Sequence, residues 1–276
     1  MIYVVGSQGR LGAALSAQLE PEAVCTPHRS VYESWWEDSA ASRIAKWFES
    51  SPAGSTVIVA SGILDPRAPA EQIKKVNVAL PTRIAEGASM AGLRVLTLGT
   101  IMEHLEDSSN AYIQSKIALG RTVTEMAASG DNTVHAQLHT LYGGGPPAPH
   151  MFLGQMLSAL RKRTTFNMSP GHQLREYHHV EDLAAALIRL IDQPVTGITT
   201  ISHGSPTSLR DLALYIYEQL DQPGNLVLSA LPEPANDNFN RAFPRPDWLS
   251  GVRFRPQASG VSDYLKEMLA LPPLNS

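Results

Sequence analysis

The stretch Met1-Ile-Tyr-Val-Val-Gly6-Ser-Gln-Gly9-Arg-Leu-Gly12-Ala-Ala-Leu-Ser-Ala-Gln-Leu19 decides how the rest of the chain is read. Ile2 to Val5 is uncharged and rich in β-branched residues, glycines interrupt it, and Ala13 to Leu19 is prone to helix. The order is strand, glycine turn, helix. Glycines at such a turn allow a tight bend, let backbone N–H groups approach a pyrophosphate, and permit close packing of helix on strand at the positive helix end. A dinucleotide site is therefore expected from Gly6, Gln8, Gly9, Arg10, Leu11 and Gly12.

Outward from this turn, Ala23 to Thr26 reads as a second parallel strand followed by Pro27-His28-Arg29-Ser30. An Asp or Glu at this point would hold the ribose hydroxyls of NAD, whereas arginine pairs with the 2′-phosphate of NADP. No acid stands there, so Arg29 and Arg10 favour NADP(H), with NAD(H) as the second choice. Between Val31 and Ser51 most of the aromatic residues are expected in core packing, with Ser42 to Glu49 an amphipathic helix. Thr56 to Ala60 is a buried strand ending in Ser61-Gly62, and the small Ala60 and Ser61 leave room for the cofactor. A helix over 70–90 carries Asn77, and Arg94 to Leu98 forms a fourth strand ending in Gly99-Thr100. This alternation predicts an α/β fold with a doubly wound parallel sheet and ligands beyond its carboxyl strand ends.

At 276 residues the chain fits one such domain with an added lobe. With 22 basic and 26 acidic residues it carries −4, which offers no footprint for nucleic acid or an anionic membrane. No apolar run is long enough to span a bilayer and the amino terminus reads as a core strand, so a cytoplasmic protein with a small-molecule partner is expected. Cys25 is the only cysteine, which excludes intrachain disulfides and cysteine zinc sites. Adjacent His178 and His179 point to opposite sides of an extended chain, and no metal is expected.

Tyr112-Ile-Gln-Ser-Lys116 opens a helix running through Met126, so the phenol and the ammonium lie one turn apart on one face. A nearby ammonium lowers a phenol's pKa toward neutrality, which equips Tyr112 to give or take a proton. Together the glycine turn, Asn77, Thr100, Tyr112 and Lys116 resemble the short-chain dehydrogenase/reductase superfamily. Leu141-Tyr-Gly-Gly-Gly-Pro-Pro147 and Arg175-Glu-Tyr-His-His-Val180-Glu-Asp182 resemble signatures of its extended, sugar-nucleotide-modifying branch.

The resemblance implies a Rossmann-type domain over 1–145 plus roughly 176–204, and a small substrate lobe over roughly 146–175 plus 205–276. It also implies roles. Tyr112 protonates the developing alkoxide, Lys116 holds the ribose and tunes Tyr112, Thr100 hydrogen-bonds the carbonyl oxygen, and Asn77 supports Lys116. Arg175 is the expected contact to a substrate diphosphate, with Arg245 ranked below it. Two departures concern the substrate: Leu138-His139-Thr140 replaces the usual Arg-x-x-Asn, and only 12 positions separate Thr100 from Tyr112, where the branch commonly has a longer loop.

The expected function is NADP-dependent reduction of a keto group in a nucleotide-linked sugar. An NAD-dependent C4 epimerase needs no residue beyond the tyrosine and lysine and is the alternative. A catalytically silent NADP-binding protein is the alternative of another class. A 4,6-dehydratase is disfavoured because Thr100 is followed by Ile101-Met102-Glu103 rather than Asp-Glu, and a fucose-synthase type because Cys25 belongs to the second strand. A homodimer through the helices over 70–90 and 112–126 is expected from the resemblance.

Overall fold

The computed structural model describes residues 1–65 and 67–272. The chain forms two compact units. The first comprises Met1–Leu138, Ala184–Ile201 and Pro246–Val252; the second comprises His139–Leu183, Ser202–Arg245 and the chain from Arg253 onward.

The first unit is built on β1 (Ile2–Val5), β2 (Val24–Cys25), β3 (Thr56–Val59), β4 (Arg94–Thr100), β5 (Thr133–Leu138) and β6 (Gly197–Ile201). They lie in the order β6-β5-β4-β3-β1-β2, and every pairing is parallel. Parallel strands are covered on both faces and read as near-continuous apolar runs. Accordingly all four residues of β3 and all seven of β4 are buried. Its helices include α1 (Arg10–Gln18), α2 (Ala40–Phe48), α3 (Leu80–Met90) and α4 (Ala111–Ala128). Trp35, Ile44, Phe48, Ile84 and Ala88 form a core with Val57, Val59 and Val95 of the sheet. Burying each large apolar side chain contributes about 1.5–3 kcal/mol. Between β2 and β3 the chain makes only a short helix, Arg29–Tyr32, and α2, so no third edge strand extends the sheet beyond β2.

Register matters for the site. Val5 of β1 is level with Val59 of β3, which is level with Thr97 of β4. The chain therefore leaves β1 and β3 side by side, at the point where the strand order reverses, and ligands bind beyond the carboxyl ends at such a point.

In the second unit α5 (Phe152–Lys162), α6 (Leu209–Gln219) and α7 (Gln257–Ala270) enclose a core containing Tyr142, Met156, Leu160, Phe166, Ile216, Tyr217, Val261 and Leu265. Its strands are short pairs: Thr140–Tyr142 with Tyr177–His179, Leu174–Arg175 with Thr207–Ser208, and Phe166–Asn167 with Leu226–Val227. Residues 139–145 and 176–183, which the sequence places with the nucleotide domain, group here. The physical reason is that Thr140–Tyr142 pairs with Tyr177–His179 rather than extending the main sheet. Conversely 246–252 joins the first unit, where Trp248 Nε1 donates to Thr199 Oγ1 at 3.0 Å. Residues 273–276 of the expected lobe lie outside the described residues. No helix among the described residues is long and apolar enough to cross a membrane.

Candidate active site

The glycine turn is built so that side chains would block it. Gly6 has φ +89°, and a Cβ there would lie 2.6 Å from Ser61 N, on the chain leaving β3. A Cβ on Gly12 would run into the Gly6 carbonyl oxygen and sit 2.8 Å from Ser7 Cα, so α1 rests directly on the turn. Gly9 N–H donates to Gly6 O at 3.0 Å and Gly9 is the N-cap of α1. Having no side chain, it leaves first-turn N–H groups for an anion. Gln8 is exposed, Arg10 half-buried and Leu11 buried, while Ala60 and Ser61 are half-buried at the tip of β3. This cradle, at the reversal of strand order, fits the pyrophosphate of a dinucleotide. Arg29 is exposed and opens the short helix after β2, capped by His28 Nδ1, which accepts from Ser30 N at 3.3 Å.

Asn77 is fully buried in a π-helical turn, Lys75–Ala79, that interrupts the helix expected over 70–90. Its Oδ1 accepts from Ile63 N at 2.7 Å, and its Nδ2 donates to Ile63 O at 2.9 Å and to Ser115 Oγ at 3.2 Å. Asn77 therefore ties the segment after β3 to α4. Ser115 Oγ in turn donates to Tyr112 O at 2.6 Å. A single-turn π bulge of this kind is common at functional sites.

Asn110 starts α4 by accepting from Tyr112 N at 2.9 Å. The short connection from Thr100 to Tyr112 is filled by a 3₁₀ turn, Ile101–His104, and by Gln114, whose Nε2 donates to Glu106 O and Ser108 O at 2.8 Å each. Lys116 is buried, donates from Nζ to Leu98 O at 2.7 Å, and has Nζ 5.8 Å from the centroid of the Tyr112 ring. Burial lowers its pKa to about 8, against the opposing charge of Glu103. Burial pushes the Tyr112 phenol upward, and Glu103 adds to the rise. The direction is opposite to the lowering expected from a neighbouring ammonium, and its largest cause is desolvation of the phenolate. Tyr112 is thereby held as a protonated acid.

Sequence reasoning missed Glu103. It is 7% exposed and sits three residues after Thr100. Its Oε1 accepts from Thr100 N at 2.6 Å and lies 3.1 Å from His135 Nε2; its Oε2 accepts from Gln137 Nε2 at 2.9 Å. The Thr100 hydroxyl accepts from Met102 N at 3.3 Å, completing a capping box that fixes the tip of β4. Cβ atoms on Gly99 would collide with His135 and Glu103, and on Gly120 would lie 3.1 Å from Glu103 Oε2, so both glycines make room for the carboxylate.

Arg175 and Arg245 belong to the second unit. Arg175 Nη2 donates to both oxygens of Asp237, at 2.6 and 2.8 Å, and Nη1 to Leu174 O at 2.9 Å. Arg245 has its guanidinium carbon 5.5 Å from the centroid of the Phe254 ring. Cys25 is half-buried, and burial raises its thiol pKa.

Known structures share this architecture at low identity. MoeE5, solved in complex with UDP-glucose and NAD, is 18% identical with a TM-score of 0.72, covering 98% of this chain and 99% of its own. The dTDP-4-dehydrorhamnose reductase of Bacillus anthracis, solved with NADP, is 16% identical with a TM-score of 0.71, covering 97% and 98%. WbmG of Bordetella bronchiseptica, solved with NAD and UDP, is 15% identical with a TM-score of 0.75, covering 97% and 95%. No protein of curated function matches the chain. Residues 2–202 match the profile of the NAD dependent epimerase/dehydratase family, and the chain belongs to that family.

Proposed function

We propose that this protein is an NADP-dependent reductase of a keto group in a nucleotide-linked sugar, acting as a homodimer through the helices over 70–90 and 112–126. The observation that carries the reading is a half-buried Tyr112 whose ring centroid lies 5.8 Å from Lys116 Nζ, with Thr100 at the tip of β4. When bound, a reduced nicotinamide supplies a hydride to the carbonyl carbon. Tyr112 gives its proton to the carbonyl oxygen, which completes the alcohol. Thr100 hydrogen-bonds that oxygen, and Lys116 binds the cofactor ribose and supplies positive charge beside the phenol. Asn77 holds the Ile63 segment against α4, keeping Lys116 in place. Arg175, oriented by Asp237, and Arg245 are the diphosphate contacts in this reading. The nucleotide-sugar class draws support from relatives solved with UDP-glucose or UDP.

Gly6, Gln8, Gly9, Arg10, Leu11, Gly12, Ala60 and Ser61 would hold the dinucleotide, with Arg29 and Arg10 flanking a 2′-phosphate. No carboxylate stands between β2 and Arg29 to repel that phosphate. Charge-assisted hydrogen bonds contribute about 1.5–3 kcal/mol each when partly desolvated. Two of them favour NADP by about two to four orders of magnitude, less the screening at exposed Arg29. Titration with NADPH and NADH, repeated on Arg29→Ala and Arg10→Ala, tests this: wild type prefers NADPH, and each variant narrows the preference. Equal affinities, or NAD retained through purification, would overturn the assignment and favour a C4 epimerase, which regenerates one NAD within each cycle. Cofactor binding without turnover on any nucleotide sugar would leave the silent binding protein.

A further inference from the structure

We propose that Glu176, His178 and His203, with His139 beside them, bind a divalent transition-metal ion in the second unit, Zn2+ fitting best. The residues come from three segments: His139 precedes the strand Thr140–Tyr142, Glu176 precedes and His178 lies on the strand Tyr177–His179 paired with it, and His203 follows β6. Ligand atoms of Glu176, His178 and His203 all lie within 4.8 Å of one another. They converge on one carboxylate oxygen. Glu176 Oε2 is 3.1 Å from His178 Nε2, 3.7 Å from His139 Nε2 and 3.7 Å from His203 Nδ1. Zinc bonds of about 2.0–2.1 Å in a tetrahedron place neighbouring ligand atoms about 3.3–3.4 Å apart, so the separations from Oε2 need only small adjustment and the ring nitrogens of His178 and His203 draw together from within 4.8 Å.

The surroundings favour a bound cation. Glu176 and the His178 side chain are fully buried, and His139 is nearly so. Both ring nitrogens of His139 and Nδ1 of His178 lack a hydrogen-bond partner among the described residues. A buried polar group left unpaired costs about 1–3 kcal/mol, and a metal bond to His139 Nε2 removes that cost for this atom. Ser202 Oγ and Gly204 N donate to Glu176 Oε1 at 2.7 and 3.2 Å, which turns Oε2 toward the rings. Such outer contacts orient metal-binding carboxylates. Loading requires two local exchanges. His178 moves its proton from Nε2 to Nδ1, and His203 Nδ1 gives up a long, 3.2 Å bond from Ser205 N. Imidazole nitrogens with one carboxylate select zinc and its first-row neighbours over Mg2+ or Ca2+. The sequence expectation of no metal weighed local patterns, the adjacent pair His178–His179 and the stretch His104-Leu-Glu106-Asp107, besides the single cysteine; the set in the structure skips a residue and draws on distant segments.

The test uses the full chain, stripped by chelator, dialysed and titrated with Zn2+ by calorimetry, with elemental analysis and Tm as further readouts. One ion per chain is expected, with a higher Tm and no competition from millimolar Mg2+. His139→Leu and His178→Leu, which replace buried rings by apolar groups, should each weaken binding by at least about tenfold. Co2+ bound to the wild type should show the intense visible bands of a tetrahedral site, which keeps the proposal testable should either variant fail to fold. Failure of the folded wild type to bind Zn2+ stoichiometrically, an octahedral Co2+ spectrum, or unchanged affinity in both folded variants would overturn it. None of these readouts uses turnover, so the metal site and the reductase reading fail separately.

Discussion

Glu103 in the first unit and Glu176 in the second are both buried carboxylates facing histidine, yet the donors around them differ in kind. Glu103 takes one backbone N–H, from Thr100, and otherwise meets side chains: His135 and the amide of Gln137. Glu176 takes two backbone N–H groups, from His203 at 2.8 Å and Gly204 at 3.2 Å, besides Ser202 and His178. The first carboxylate exerts its charge on Lys116 and Tyr112, groups with chemistry to perform. The second is surrounded by rings with unused lone pairs. A buried charge is tolerated when it is paired and hydrogen-bonded, and the identity of its donors decides whether it tunes a proton or organises a loop.

If the reactive end lies at Glu103, the largest effect in the molecule belongs to Tyr112→Phe. It deletes a proton donor while leaving the ribose contact from Lys116, so turnover should fall by about 10²–10⁴-fold with cofactor affinity nearly unchanged. Steady-state rates on a keto sugar nucleotide, beside cofactor titration, measure both. A wild-type rate in this variant would remove Tyr112 from the mechanism and break the contrast between the two regions.

What could be read beforehand followed from spacing within one segment. The glycine turn and the Tyr112–Lys116 spacing are short local patterns at a strand tip and on a helix, whereas Asn77 and Thr100 were singled out through the family resemblance. Glu103 was not, since its partners His135 and Gln137 come from β5 and a glutamate in a short turn looks like any solvated acid. Gly99 and Gly120 were the available hint: small residues in a strand and a helix mark a close approach. His135 and Gln137 two apart on a buried strand were another, since polar residues on one face need a partner. Glu176 and His178 show the same spacing. The missing edge strand after β2 had no local mark beyond the helical pattern of Ser42 to Glu49. The Arg175–Asp237 pair spans 62 residues, a separation over which neither residue carries a sign of the other.

The two carboxylates should part again when each is made an amide. In Glu103→Gln the new NH₂ can face residue 137, whose own amide turns its oxygen to receive it, while the carbonyl keeps the Thr100 N–H. In Glu176→Gln one fixed backbone donor, His203 N or Gly204 N, must face an NH₂ that cannot accept. A buried donor left unsatisfied costs about 1–3 kcal/mol, so Glu176→Gln should lose more stability than Glu103→Gln by about that amount. Urea unfolding at neutral pH, with equal m-values, provides the comparison. Equal losses would mean that backbone donors do not distinguish the sites.

The smallest effect is the sharpest, because it reads charge rather than shape. Lys116 has its pKa lowered by burial to about 8, and the Glu103 carboxylate acts in the opposite direction. Glu103→Gln removes that negative charge, so the ammonium becomes harder to keep and the lysine's pKa falls further. Turnover needs the ammonium, so the alkaline limb of kcat/KM, which falls as Lys116 deprotonates, should move to lower pH in the variant. Stability carries the same signature. Between about 8 and the ordinary lysine value of 10.5 the folded chain holds fewer protons than the unfolded one, so its stability rises with pH across that window. The burial penalty is fully present below the folded pKa, and in the variant the rise should begin at lower pH. One unit corresponds to about 1.4 kcal/mol, below the largest losses above. A purely structural role for Glu103 would lower kcat and leave both pH limbs where they are, and that outcome would separate Glu103 from the proton chemistry of Lys116.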